Sequence, residues 1–210
     1  KPEKITGNYS TSMLTASNNV RGVCGSPKLT WDTTIEKNAE EYANTIASFC
    51  GNDPENTQGC HSDAIHHIHG HNSYKLNPQS GENISWSQDT AGVDRIGAGI
   101  NGVKGWAAEG QQGKPNHYTA MNWSTTTRIG CGTSLSPDGN TAYTVCQYAN
   151  EAPNVGNADL AWSQVIDRSV PCSKPIAVGP HSAPLPSKPG WNPSGGDDEH
   201  PGQPSHKGHG

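Results

Sequence analysis

The stretch from Asn116 to Gly132 constrains this chain more than any other. It runs Asn116-His117-Tyr118-Thr119-Ala120-Met121-Asn122-Trp123, continues through Ser124 to Arg128, and closes on Ile129-Gly130-Cys131-Gly132. His117 and Met121 are four residues apart and share one face of a helix. Thr125-Thr126-Thr127 is β-branched and stiff, which favours extended backbone. The stretch therefore predicts a short helix starting at His117 and a strand that Cys131 staples. A core helix and strand with an incidental histidine would have the same local pattern, so the companion segments decide its meaning.

Those companions read as alternating helix and strand. Ser10 to Arg21 predicts a helix with Met13, Leu14 and Val20 inward. Asp32 to Phe49 is the clearest helix, because Ile35, Ala39, Tyr42, Ala43 and Ile46 recur at helical spacing. Thr33 and Glu36 have capping-box spacing at its start, and Cys50-Gly51 ends it. Gly81 to Trp86 reads as a short strand. Thr90 to Gly110 reads as a third helix on a stripe of Val93, Ile96, Ile100, Val103 and Trp106 or Ala107. Gly97, Gly99, Gly102 and Gly105 each weaken that helix by up to ~1 kcal/mol relative to alanine, so close packing against another layer is expected there. Thr125 to Ser134 and Thr141 to Tyr148 predict a hairpin across the turn Pro137-Asp138-Gly139-Asn140.

Apolar residues make up 30% of the chain, low for a globular protein, and the deficit is concentrated at one end. Residues 1–10 read as a flexible arm, 11–172 as the folded domain, and 173–210 as a Pro/Gly/Ser/His-rich flexible tail. A domain of about 150 residues buries roughly 68–70% of its unfolded surface, enough to fold unaided. The formal charge is −5 and no basic stripe occurs, which argues against nucleic acid. No apolar run of eighteen residues predicts a membrane span. The chain opens at Lys1 without a leader core and reads as a mature form. Six cysteines, an even number without C-x-x-C spacing, predict disulfides in an oxidising compartment rather than a structural zinc site. Of three glycosylation sequons, at Asn8, Asn83 and Asn122, only Asn8 reads as a free surface acceptor.

Four segments stand in order: Leu29-Thr30-Trp31-Asp32, Gly81-Glu82-Asn83-Ile84, Asn116 to Trp123, and Val145-Cys146-Gln147-Tyr148. Together they resemble the CAP superfamily of cysteine-rich secretory proteins, insect antigen 5 allergens and plant pathogenesis-related-one proteins. The family patterns run roughly L-x-W-[DN], G-E-N-[IL], G-H-Y-T-Q-M-V-W and C-x-Y-x-P-x-G-N. Ser17-Asn18-Asn19-Val20-Arg21 stands where the family has H-N-x-x-R. The resemblance covers about residues 11–172. Asn116 replaces a glycine, Asn122 an apolar residue and Ser17 a helix histidine, and the segment after Tyr148 is longer than the family's. The resemblance implies a three-layer α-β-α sandwich with an antiparallel sheet, and a secreted, extracellular protein. It also implies a Cys131–Cys146 bridge, these two cysteines flanking the proposed hairpin. Cys50 with Cys60 is the local pairing, which leaves Cys24 with Cys172, or else one of these two bridging two chains. Monomer and disulfide-linked dimer both remain open.

The family's cleft holds two histidines and two glutamates. By motif match these are His117, Glu82 of Gly81-Glu82-Asn83, and Glu109, three residues after Trp106. The first histidine is His71, with His61 as the alternative. Two neutral imidazoles can hold Zn²⁺ or another divalent cation, and a carboxylate beside each can fix its tautomer. A buried His–Glu network that only rigidifies the core uses the same residues. The resemblance implies a non-enzymatic protein that binds a host, a neighbour or a lipid through an unidentified protein or lipid ligand. A metal-dependent hydrolase using the same cleft is the alternative. Neither H-E-x-x-H nor G-x-S-x-G occurs. Some family members take sterols through an aromatic-rich loop before the histidine motif, and Gly110 to Asn116 has no aromatic residue. His67, His69 and His71 alternate within a polar insert, and four more histidines lie in the tail; both read first as solvated polar segments.

Overall fold

The computed structural model describes residues 8–58, 60, 81–110 and 116–149. His61, His71, Cys172 and the tail lie outside these residues, as do the insert's His67 and His69 and the boundary at 172. In chain order the elements are α1 (Tyr9–Val23), β1 (Thr30–Trp31), α2 (Thr33–Cys50), β2 (Gly81–Gln88), α3 (Arg95–Glu109), α4 (His117–Met121), β3 (Arg128–Leu135) and β4 (Thr141–Ala149). Side-chain caps set the helix starts. Asn8 accepts from the amides of Ser10 and Thr11, and Asp32 from those of Thr34 and Ile35. Asp94 accepts from the amide of Gly97. Asp32, not the expected Thr33, is thus the cap of α2, because its carboxylate reaches two orphan amides at once. α3 begins at Arg95 rather than Thr90 for the same reason.

The four strands lie in the order β1-β3-β4-β2. β2 pairs with β4 and β4 with β3, all antiparallel, while the two-residue β1 pairs with β3 in parallel. The expected antiparallel sheet is therefore mixed at one edge. β1 runs from Leu29 straight into α2 and lies parallel to β3 along that path. The strand expected from Thr125 starts at Arg128, because Thr127 instead donates its amide to Ala149 and Thr126 to Trp123.

Side-chain alternation sorts the two faces of the sheet. On one face Ile84, Tyr143 and Val145 pack with Ala39, Tyr42, Ala43 and Ile46 of α2. On the other, Ile129, Cys131, Cys146 and Tyr148 pack with Met13 of α1, Val103 and Trp106 of α3 and Met121 of α4. Helix α2 forms one outer layer and α1, α3 and α4 the other, which makes the three-layer α-β-α sandwich. The glycines of the Ile129-Gly130-Cys131-Gly132 run let α2 settle directly on β3. A Cβ on Gly130 would lie 2.2 Å from the Glu36 nitrogen, and one on Gly132 2.4 Å from the Glu40 Cα. On the opposite side Gly99 meets Met13 and Gly102 meets Ser85 in the same manner, which explains two glycines within α3.

Cys131 and Cys146 stand directly opposite each other in the β3–β4 register and are joined by a disulfide. A second bridge links Cys50 at the end of α2 to Cys60. Cys24 is also disulfide-bonded, and its expected partner, Cys172, lies outside the described residues. Among the described residues no cysteine is free, and no helix is long and apolar enough to cross a membrane.

Candidate functional site

The site is built where α3 ends and α4 begins. Glu109 is the last residue of α3 and His117 the first of α4. Both carboxylate oxygens of Glu109 lie on Nδ1 of His117, at 3.0 and 2.8 Å. The histidine is 1% exposed, so this contact is sheltered from water. Trp106, one turn before Glu109, stacks on the imidazole at 6.1 Å with 22° between planes. Its indole nitrogen is anchored on the carbonyl of Ile84, 3.3 Å away. A carboxylate on one edge and an indole on one face leave the ring little rotational freedom. Because a carboxylate only accepts, Nδ1 carries a proton and donates it to Glu109.

The sequence supports this arrangement locally. Asn116, which stands where the resemblance has glycine, is the N-cap of α4. Its side chain accepts from the Thr119 amide while the Thr119 hydroxyl accepts from the Asn116 amide, a reciprocal capping box. A five-residue helix has no stability of its own, so its neighbours must hold it. Nδ2 of Asn83 donates to the His117 carbonyl at 3.0 Å and to the Tyr148 hydroxyl at 3.2 Å. At the far end, Arg21 donates to the carbonyls of Met121 (3.0 Å), Trp123 (2.8 Å) and Thr126 (3.1 Å), and to that of Pro27 (2.8 Å). Burial pulls the Arg21 guanidinium down to about 10, still well above neutral pH, so it keeps its charge. The Ser26 hydroxyl adds a bond to the Asn122 carbonyl at 2.7 Å. Asn18 and Arg21 thus carry structural tasks: the Asn18 side chain exchanges two hydrogen bonds with the backbone of Leu29.

Glu82 sits differently. It is adjacent to Asn83 on β2, so strand alternation points it to the α2 side of the sheet. There its Oε2 accepts from Nε2 of Gln147 at 2.8 Å, and Oε1 of Gln147 accepts from Nδ2 of Asn38 at 2.8 Å. All three side chains are buried. The structure therefore brings His117 and Glu109 into direct contact and joins Glu82 to a separate polar chain running into α2. Among the described residues no three His, Cys, Asp or Glu side chains converge as a metal-binding group. His71 and its alternative His61 lie outside the described residues. A histidine whose Nδ1 is pinned by a carboxylate has the donor chemistry a divalent cation needs at Nε2. Both oxygens of Glu109 are turned to the imidazole, which makes it the residue that orients His117.

Asn83, Arg21, Gln147 and Asn38 were not singled out as supports by sequence reasoning. Two of them left a signal: Asn38 interrupts the buried stripe of α2, and Gln147 interrupts a buried strand. A polar residue at a core position must find a partner.

Comparisons with known proteins bear on the identity of this fold and site. The profile of the CAP family, the cysteine-rich secretory protein family, matches residues 14–148. Pathogenesis-related protein PRMS of Zea mays is 29% identical over 146 residues, covering 64% of this chain and 72% of that protein. Golgi-associated plant pathogenesis-related protein 1 of Homo sapiens is 25% identical over 163 residues, covering 75% of this chain and 92% of its own. Among solved structures, NaASP2 with Zn²⁺ is 23% identical, with a TM-score of 0.47, covering 70% of this chain and 83% of its own. BmVAL-1 is 19% identical, with a TM-score of 0.46, covering 70% and 80%. With its motifs lying inside a match that spans well over half its length, the chain belongs to the CAP family of cysteine-rich secretory proteins.

Proposed function

We propose that this chain is a secreted CAP protein that acts by binding rather than catalysis, through a cleft centred on His117 that takes a divalent cation. The observation that carries this reading is the His117–Glu109 contact. It fixes one imidazole, its tautomer and its orientation in a nearly solvent-free site. His117 would hold the cation through Nε2 and Glu109 would orient it; of the rest of the family set, Glu82 is bonded to Gln147 on the α2 side of the sheet and His71 lies outside the described residues. When bound, the cation supplies positive charge that can attract an anionic partner group. Disulfides at Cys50–Cys60 and Cys131–Cys146 accord with an extracellular setting.

Titration calorimetry with Zn²⁺ tests the site. Wild-type protein is expected to bind, His117→Ala to abolish binding, and Glu109→Gln to weaken it roughly 10–100-fold through loss of the orienting carboxylate. Equal affinity in wild type and His117→Ala refutes the cleft. A chelator-sensitive hydrolysis lost in Glu82→Gln would replace binding by the hydrolase reading.

A lipid is the ligand class with a physical place to sit. Helices α1 and α3 flank an open groove of about 520 Å³ lined by Thr11, Ser12, Thr15, Ala16, Asn19 and Val20 on one side and Ile100, Val103 and Lys104 on the other. That volume suits a small ligand. Among these, Ala16, Val20, Ile100 and Val103 offer apolar contact for an acyl chain, and Lys104 a charge for its carboxylate. Uptake of a fluorescent fatty acid is expected to fall in Ala16→Trp and Lys104→Glu; unchanged uptake in both removes the groove.

A further inference from the structure

We infer that the native fold carries one N-linked glycan, on Asn8, and that the chain's other two sequons are closed to modification. The three sites, Asn8-Tyr9-Ser10, Asn83-Ile84-Ser85 and Asn122-Trp123-Ser124, satisfy the same sequence rule. Their side chains have opposite fates. Asn83 and Asn122 are 0% exposed. Their Nδ2 atoms, where a sugar would attach, are already engaged. Asn83 donates to the carbonyl of His117 and the hydroxyl of Tyr148, and Asn122 to the carbonyl of Tyr118 at 2.9 Å. A glycan on either would have to occupy the core and would remove a donor that holds α4. A chain modified there while still unfolded could not reach this structure.

Asn8 is exposed at the N-cap of α1. Its amide oxygen accepts from the amides of Ser10 at 3.0 Å and Thr11 at 3.4 Å, and from the Ser10 hydroxyl at 2.6 Å. Three donors on Oδ1 settle which end of the amide faces the helix, so Nδ2 faces outward. Capping and modification thus use different atoms of one side chain. The step is a glycosyl transfer from a polyprenyl-pyrophosphate-linked oligosaccharide. Nδ2 bonds to C1 of the first sugar, the bond from C1 to the pyrophosphate oxygen breaks, the pyrophosphate leaves with the electron pair, and one Nδ2 proton is released. The amide carbonyl is untouched, so α1 keeps its cap.

The inference rests on exposure to the lumen of the secretory pathway, and the test supplies that independently. The full chain, carrying an added signal sequence, is expressed in a eukaryotic cell, and the folded fraction from lumen and medium is analysed by intact mass and peptide mapping. One glycan is expected, removed by peptide-N-glycosidase with conversion of residue 8 to aspartate. Asn8→Asp is expected to lose the glycan while keeping the cap and an unchanged urea midpoint, since aspartate caps as well as asparagine. Ser10→Ala is expected to lose the glycan too. Folded protein with Asn8 bare, or with sugar on Asn83 or Asn122, overturns the assignment. Because the added signal forces entry, neither result depends on whether the native chain is exported.

Discussion

Replacing Arg21 with methionine tests the clearest structural dependence in this protein. The guanidinium is fully buried and donates to four carbonyls, three of them in the Met121–Thr126 segment that follows His117. A hydrogen bond to a charged group contributes about 1.5–3 kcal/mol. Four such bonds do not add fully, because the substitution also relieves the cost of burying the charge. Methionine fills much of the volume but removes the guanidinium's bonds to the Pro27, Met121, Trp123 and Thr126 carbonyls. The expected loss is about 4 kcal/mol, near that for breaking a buried charged pair. That is a large share of the roughly 5–15 kcal/mol that holds a domain together. At roughly 2–4 °C per kcal/mol for a chain of this size, the melting temperature should fall by about 8–16 °C. Urea unfolding monitored by tryptophan fluorescence gives the free energy, and amide exchange across residues 122–127 gives the location. Arg21→Lys should recover only part of the loss, since one ammonium cannot span carbonyls that a planar fork reaches. An Arg21→Met variant within about 0.5 kcal/mol of wild type would refute the reasoning.

Gly130→Ala should destabilise by about 3 kcal/mol, the upper part of the overpacking range, because its Cβ would meet helix backbone rather than a movable side chain; an unchanged urea midpoint would contradict this. Opening the Cys131–Cys146 bridge with paired alanines should cost about 3 kcal/mol for a loop of this length, read as a lower melting temperature with retained secondary structure. Burial raises the hydroxyl pKa of Tyr9, Tyr143 and Tyr148 above the ordinary 10.0. The folded chain then keeps protons that the unfolded chain has lost, so stability is full below pH about 10 and declines as pH rises beyond it. Arg21, lowered by burial, acts in the opposite direction as one group against three. Urea midpoints at pH 9 and 11 measure the balance; a rise would show the sign to be wrong.

Much of the fold was legible because its signals are local. The spacing of Ile35, Ala39, Tyr42, Ala43 and Ile46 specified α2, and Asp138-Gly139 specified the turn between β3 and β4, where Gly139 takes φ 74°. Boundaries were less legible, since a cap depends on which side chain reaches the free amides; Asp32 and Asp94 took that role. His117 at the start of a helix and Glu109 at the end of the one before were readable as motif positions, although their contact was not.

By itself, then, the sequence determined the identity of the helices and strands, the family motifs and the chemical types available to the site. Tertiary structure alone decided that neighbouring Glu82 and Asn83 serve opposite faces of the sheet, with Gln147 claiming one and the His117 carbonyl the other. It also decided that Arg21 closes on carbonyls about a hundred residues away. The physical reason is range. Helical and strand periodicity are set by backbone geometry between near neighbours, whereas a buried donor takes whichever acceptor the assembled layers bring to it.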